Sequence, residues 1–308
     1  MAGIGVILNP YSKKYKKKPH KLHQMAFIIG DRASYRPTDD LGDLHRVIEG
    51  FKTHDIDLLA ISGGDGTIHT TLTALIKVYG KKQLPQVTFL RGGTLNTIAA
   101  TLGIRGETEK LMSSLLIRYH ENKDFKEKKL RLTKINDEYG CIFGVGMVYR
   151  FMAEYYKNPK LNPAIAAQTV IKTITSTIFH SKMARDIFKR FDAEVMVDGE
   201  KWPFANYASI FSSSISQAGL NFHVFHHMLT QNEKFHLMGI SLDAWNVLPC
   251  LKRMHDGKPA GCSEILDAAA SDVIIKLSEP MPYTIDGDML EPLDTFHLSA
   301  GPEVTVLV

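Results

Sequence analysis

Cysteine is scarce in this chain. Cys141, Cys250 and Cys262 are its three, they form no Cys-x-x-Cys pair, and so neither a disulfide framework nor a cysteine-rich zinc site is expected. The odd, sparse count fits a reducing, cytoplasmic setting. Long apolar runs are missing too. No stretch of about 18 apolar residues runs free of charge, so no transmembrane helix is predicted. The opening residues, MAGIGVILNPYS, read as a strand entering a turn and carry no basic segment ahead of an apolar one, so no signal peptide is expected. No internal repeat and no low-complexity segment are found. A G-x-S-x-G elbow is absent, which disfavours serine hydrolase chemistry. The net charge of +4 is mild and does not point to nucleic acid.

What is present is ordinary globular composition. Hydrophobic residues make up 44% and charged residues 23% of 308. That length and composition suit two domains with real cores. The boundary is expected near 124, giving residues 1–124 and 125–308.

The first third alternates strand and helix signals. Gly3–Leu8, Met25–Ile29, Leu58–Ile61 and Val87–Leu90 are short apolar runs ended by turn residues. Helical patterns lie between them: one from Thr38 as cap through Leu41, Leu44, Val47, Ile48 and Phe51, then Thr67–Val78 and a short one near Asn96–Leu102. Such alternation predicts a doubly wound parallel sheet. A further helix over Glu107–Arg118 and a charged linker over His120–Lys129 follow. Beyond the linker the pattern changes to short strand-like runs: Leu130–Ile135, Cys141–Val145, Ala193–Val197, Ala208–Ser212, Phe235–Ile240, Val273–Leu277, Phe296–Leu298 and Val304–Val308. Asn136-Asp137, Asp198-Gly199 and Asp286-Gly287 read as turns between them. The fold class is therefore α/β plus a β-rich, mainly antiparallel second domain. Helices interrupt that domain at about Met147–Lys157, Pro163–His180 and Leu242–His255. The final strand could return to the first domain or close the second.

The strongest local feature is LLAISGGDGTIHTTL, in which an apolar strand breaks into Gly63-Gly64-Asp65-Gly66-Thr67 and a helix follows. Glycines let a backbone approach a ligand closely, and a helix start suits phosphate. Asp65 could meet Mg²⁺ or a hydroxyl of a nucleotide or substrate. A second loop, Arg91-Gly92-Gly93-Thr94-Leu95-Asn96, also follows a strand. In a doubly wound sheet such loops converge on one crevice. Arg91 is placed to meet a phosphate.

These motifs resemble, in order, those of the diacylglycerol kinase catalytic domain family, which includes bacterial lipid kinases and sphingosine kinases and is distantly related to NAD kinases. The matching runs are Asn9-Pro10-Tyr11-Ser12, Gly63–Thr67, Gly93-Thr94-Leu95-Asn96 and Asp286-Gly287-Asp288. The resemblance implies an ATP-dependent lipid kinase: an α/β ATP-binding domain, 1–124, and a β-rich lipid-substrate domain, 125–308. It implies ATP and Mg²⁺ as cofactors. Asn9, Pro10, Ser12, Gly63, Gly64, Gly66, Thr67, Arg91, Gly93, Thr94 and Asn96 would surround the nucleotide. Asp288 would be the general base, Asp286 would help bind Mg²⁺, and Asp65 would complete the catalytic acids. Two carboxylates two apart in an extended turn point to one side, so one can hold metal while the other takes a proton. Read alone, TIDGDML is a hairpin turn. Several positions depart from the family's pattern. Lys13 stands where glycine is usual, His69-Thr70 where Asn-Glu is common, Thr97 where Asp is usual and Asp288 where Glu is common. Gly144-Val145-Gly146-Met147-Val148 carries no acid.

A lipid substrate implies a peripheral membrane surface as partner, and a cytoplasmic, peripherally membrane-associated location. Lys13, Lys14, Lys16, Lys17, Lys18 and Lys21 could draw anionic headgroups, contribute to phosphate binding, or form a solvated loop. Met147–Tyr156 and Pro163–Phe179 could be lids over an acyl chain or ordinary core helices. No nucleic acid partner is expected, and homodimerisation is left open. His223, His226 and His227 invite a metal reading in which alternation puts His223 and His227 on one strand face, but no matching acid or cysteine set lies nearby in sequence. Two alternatives stand beside the lipid kinase. An NAD kinase would need a clear Asn-Glu pair and a dinucleotide-shaped second domain. A non-catalytic lipid-binding descendant would fit the missing acids but not the retained Asp286 and Asp288.

Overall fold

The computed structural model describes residues 3–308 except 39, 159–161, 179–180, 220–221 and 231–232. Two compact units divide the chain: Met1–Leu130 with Glu303–Val308, and Arg131–Pro302.

The first unit is built around parallel strands. In chain order it contains β1 (Ile4–Leu8), α1 (Lys13–Lys17), α2 (His20–Ile29), β2 (Ser34–Pro37), α3 (Leu41–Thr53), β3 (Leu58–Ser62), α4 (Asp65–Tyr79), β4 (Gln86–Phe89), α5 (Thr97–Thr101) and α6 (Thr108–His120). The strand order is β2-β1-β3-β4, with Ile4 opposite Leu58 and Leu59 opposite Val87. Every residue of β1 and β3 is buried, as expected of parallel strands covered on both faces. Ile4, Val6 and Leu8 pack with Met25 and Ile29 of α2 and with Met112, Leu115 and Leu116 of α6. Gly5 points the other way, where a Cβ would meet Phe51 of α3. The two sides of β1 thus serve two helix layers, which is what doubly wound means in physical terms.

Met25–Ile29 is not a strand. It forms the end of α2, with Met25 and Ile29 buried, because Leu22, Met25 and Ile29 fall on one helical stripe. The second strand is instead the polar edge segment Ser34–Pro37. Asp40 rather than Thr38 caps α3, accepting the Asp43 N–H at 2.7 Å.

The second unit is antiparallel. β5 (Glu127–Ile135) leads into it, followed by β6 (Glu138–Gly140), β7 (Ile142–Gly146), α7 (Met147–Tyr156), α8 (Pro163–Ile178), α9 (Lys182–Ile187), β8 (Phe191–Val197), β9 (Glu200–Lys201), β10 (Asn206–Tyr207), β11 (Ser209–Ser213), β12 (Phe235–Ile240), α10 (Leu248–His255), β13 (Ile265–Ala270), β14 (Asp272–Ile285) and β15 (Asp288–Leu307). Residues 179–180, included in the expected third-domain-quarter helix Pro163–His180, lie outside the described residues. The ladder β13-β12-β11-β7-β14-β15 carries a core of Phe143, Val195, Tyr207, Phe235, Ile275 and Phe296 among others. β13 was absent from the sequence reading. β14 and β15 run far beyond the apolar segments expected for them, with register shifts between Lys276 and Tyr283. Pro280 and Pro282 fall in that shifted stretch, where a bulge tolerates a missing donor. The last residues of β15 belong to the first unit: Val306 pairs in parallel with Val87, and Val308 N–H donates to Lys126 O at 2.8 Å.

Cys250 and Cys262 form a disulfide, contrary to the sequence expectation. The helix α10 and the turn after it fold back, and bring the two Cα atoms to 6.5 Å. That lies within bridging range. Cys141 is buried. No helix among the described residues is long and apolar enough to cross a membrane.

Candidate functional site: three loops on adjacent strand ends

β1, β3 and β4 end on the same edge of the parallel sheet, and each releases a loop there. Asn9 ties the first loop to the second: its Nδ2 donates to Thr67 Oγ1 at 2.9 Å, while its Oδ1 accepts the Tyr11 N–H at 2.9 Å. The Asn9 N–H donates to Ser62 O at 3.0 Å, at the end of β3. Tyr15 hydroxyl and Ser62 hydroxyl share a buried bond of 2.9 Å. Burial pushes the Tyr15 phenol up to about 12. Pro10 sits half-buried in the same loop.

The glycines of the second and third loops answer to each other. A Cβ on Gly93 would lie 2.3 Å from Gly64 Cα, and one on Gly92 would lie 3.0 Å from Gly63 N. A Cβ on Gly63 would strike Thr67 at 2.3 Å. None of these four needs a left-handed backbone. They are glycines because two loops touch backbone to backbone, a reason that sequence reading assigned to ligand approach alone. Gly66 lies in the first turn of α4, and Thr94 lies half-buried in the loop after β4.

Asp65 closes this arrangement. Its Oδ2 accepts the Thr97 N–H at 3.0 Å and its Oδ1 the Ile98 N–H at 3.1 Å. The carboxylate therefore caps α5 from another loop, satisfying two N–H groups that a helix start leaves open. Asn96 is left-handed at φ 51 and closes its own ring, accepting the Gly93 N–H at 2.9 Å and donating to Gly93 O at 3.1 Å. Asn9, Asp65, Thr67 and Asn96 thus hold the loops to one another.

Three other groups are left over. Ser12 Oγ, Lys13 Nζ and Arg91 Nε are buried without a hydrogen-bond partner. Ser12 is only 7% exposed. Burial, reinforced by Lys17, pulls the Lys13 ammonium below its usual range. Arg91 is a left-handed residue at φ 48 whose carbonyl accepts the Thr108 hydroxyl at 3.3 Å. Beside Thr108, Glu109 receives Lys14 at 2.7 Å and Lys21 at 3.4 Å. Burial works to raise the Glu109 carboxyl, but the Lys14 hydrogen bond and the two ammonium charges hold it below the usual range. The N-terminal turn of α6 therefore links α1 to the Arg91 loop. An orphaned hydroxyl and two orphaned cationic groups on neighbouring loops suit a polyphosphate. Lys13, at the position where the family pattern has glycine, was not among the residues expected to bind nucleotide.

The lysine run is mostly committed. It forms α1 and the start of α2 rather than a loop. Lys14 and Lys21 are paired with Glu109, Lys13 is covered, and Lys16 lies over the Tyr11 ring at 5.8 Å.

In the second unit, Asp286 and Gly287 form the two-residue turn between β14 and β15, both left-handed at φ 48 and 89, with Ile285 opposite Asp288. This is a type I′ hairpin, not an extended run. The two acids therefore do not share a side by alternation. Asp286, 7% exposed, folds back on β7: its carboxylate accepts the Cys141 N–H at 2.9 Å and the Ile142 N–H at 2.8 Å. Gly140 makes room, since a Cβ there would lie 2.9 Å from Asp286 Oδ2. Asp288 is half-buried at the start of β15. Helix α7 covers the turn, with Tyr156 hydroxyl donating to Gly287 O at 2.9 Å. The acid-free segment Gly144–Val148 has a packing reason: a Cβ on Gly144 would meet Val148 at 2.6 Å, and left-handed Gly146 starts α7.

Residues 3–126 match the diacylglycerol kinase catalytic domain. This part of the chain is similar to that family's catalytic domain. No curated protein matches the chain. Solved structures do, along nearly its whole length. One is described as a diacylglycerol kinase from Bacillus anthracis strain Sterne, at 14% identity and a TM-score of 0.66, with 99% of this chain and 96% of that one covered. Two structures of proposed diacylglycerol kinases from the same organism give 15% and 14% identity and TM-scores of 0.70 and 0.71. Each covers 99% of this chain, over 95% and 96% of the other. At such identity the likeness is one of fold.

Proposed function

We propose that this protein transfers the γ-phosphoryl group of ATP to a hydroxyl of a lipid alcohol, such as diacylglycerol or a sphingoid base. The observation that carries the reading is the trio Ser12 Oγ, Lys13 Nζ and Arg91 Nε, buried and unpartnered on loops of a diacylglycerol kinase family domain. A triphosphate would supply the missing acceptors and offset both cations. The first turn of α4 adds backbone N–H groups outside the helix ladder.

Asp288 is the base in this reading, taking the proton of the acceptor hydroxyl. A divalent metal, when bound, neutralises charge on the phosphates. Asp65 and Asp286 both fit such an ion only with what their backbone bonds leave. Each ionised carboxylate offers about four lone-pair sites; Asp65 commits at least two to Thr97 and Ile98, and Asp286 at least three to Cys141 and Ile142. Both therefore act as positioning residues first. Support for a lipid acceptor comes from α8, which leaves Ile171 and Ile178 more than half exposed, surface that an acyl chain or bilayer would cover. A peripheral membrane encounter follows from the same surface.

The test is turnover with labelled ATP and Mg²⁺ on mixed micelles holding diacylglycerol or sphingosine, with NAD as a separate acceptor. The expected result is a labelled lipid, reduced at least tenfold in Lys13→Ala. Label in NAD alone would overturn the lipid acceptor. Tight ATP binding with no labelled product would overturn catalysis.

A further inference from the structure

His223, His226 and His227 do not lie on a strand. His226–Leu229 is a 3-10 turn, which places His226 and His227 side by side. Asp267, forty positions on, is delivered by β13. Met238 of β12 pairs with Asp267, and His236 pairs with Ala269. Alternation puts His236 and Asp267 on the same face of this ladder. His227 Nε2 stands 3.4 Å from Asp267 Oδ1. One ligand atom each from His226, His227 and Asp267 lies within 4.8 Å of the others. The His236 ring is set edge-on to both other imidazoles, with centroids 4.8 Å from His226 and 4.6 Å from His227.

Three imidazole nitrogens here have no hydrogen-bond partner among the described residues: His226 Nδ1 and both nitrogens of His236. His236 is fully buried. The plain reading is aromatic packing, since His236 also lies edge-on to Phe225 at 5.6 Å. Packing accounts for one buried imidazole. It does not account for His226 and His227 both converging with Asp267 to within 4.8 Å.

We propose that His226, His227 and Asp267 bind a divalent transition metal ion, zinc foremost. With zinc bonds of about 2.0–2.1 Å, two ligand atoms on a tetrahedral ion sit roughly 3.4 Å apart. The His227–Asp267 pair already has that spacing. Imidazole with carboxylate is a donor set that suits zinc. Neutral imidazole is the binding form. The ion would tie the 3-10 turn to β12 and β13.

The test uses the full, oxidised chain, stripped with a chelator and dialysed. Zinc is titrated in competition with an indicator, and cobalt(II) is added to a parallel sample. The expected result is one ion per chain, a rise in melting temperature on binding, and a four-coordinate cobalt spectrum without a thiolate band. Zinc affinity should fall at least tenfold in His227→Ala and in the near-isosteric Asp267→Asn. His54→Ala, at an exposed histidine of the first unit, should leave it unchanged. The proposal is overturned if wild-type protein binds less than one ion, or if a thiolate band places cobalt on the cysteines. Equal binding by wild type and Asp267→Asn also overturns it. The cobalt spectrum is read on the unsubstituted protein, so a misfolded variant cannot obscure the outcome.

Discussion

The carboxylate of Asp65 accepts two consecutive backbone N–H groups, those of Thr97 and Ile98, at 3.0 and 3.1 Å. The same device recurs twice. Asp286 receives Cys141 and Ile142, and Asp198 Oδ1 receives Ser271 and Asp272 at 2.9 and 2.8 Å. Each aspartate leaves a turn or loop and clamps the start of a distant segment. Two of the three were expected to be catalytic or metal-binding acids, and the clamp changes what their substitution will do.

Asp65→Ala should lower stability as well as turnover. Losing both acceptors leaves the α5 start uncapped, at a cost of about 1–3 kcal/mol. Urea unfolding would show a lower midpoint with an unchanged slope. Full stability with lost activity would instead assign Asp65 to chemistry alone.

The acids of the second unit should separate by the same logic. Asp288→Asn should reduce turnover by roughly 10²–10⁴-fold, the range for a general base, with the melting temperature unmoved. Asp286→Ala should lower the melting temperature, because the Cys141 and Ile142 N–H groups lose their acceptor inside the protein. Comparing thermal unfolding with initial rates for the two variants checks both halves.

Glycine substitutions should divide by what the new methyl meets. Gly93→Ala places a Cβ 2.3 Å from Gly64 Cα, which is backbone and cannot swing away; a loss of about 1–3 kcal/mol is expected. Gly50→Ala, inside α3 with nothing within 4 Å, should add about 0.5–1 kcal/mol. Chemical denaturation of the two variants reads the contrast directly.

Tyr15 should shape the alkaline limb of stability. Its phenol is raised from 10.0 to about 12, chiefly by burial. The folded state therefore keeps a proton that the unfolded chain releases near pH 10. The associated stability is present below pH 10 and declines as pH rises from 10 towards 12, by roughly 1.4 kcal/mol per unit at most. Tyr15→Phe should flatten that decline in unfolding curves taken between pH 9 and 12.

Much of this architecture is legible in the residues themselves. β1 and β3 are apolar throughout because helices cover both faces, so their runs stand out in sequence. Asn136, Asp198 and Asp286 are left-handed at the turns where they were expected to reverse the chain. The misreadings share a physical cause. Met25–Ile29 is an apolar run short enough to fit either period, and only its packing against α6 decides for helix. β14 and β15 carry exposed stretches whose alternation is hidden by prolines and a register shift. In the site, the glycine pairs were visible, but their mutual contact joins residues about thirty apart. Lys13 was visible as a departure from a pattern and as one of a lysine run that could contribute to phosphate binding, but nothing in the run singled it out as the lysine whose Nζ is buried. Asp267 could not be connected to His226 and His227 before β13 was known to lie beside β12.

The closing residues of β15 carry a consequence for how the chain is made. Val306 lies against Val87, and Leu307 O accepts the Thr88 hydroxyl at 3.0 Å. Until residues 303–308 emerge from the ribosome, the β4 side of the parallel sheet remains an unpaired template. A nascent chain therefore keeps one sticky flank exposed while everything between β4 and those residues is made, the condition that favours chaperone capture and strand exchange between neighbouring chains.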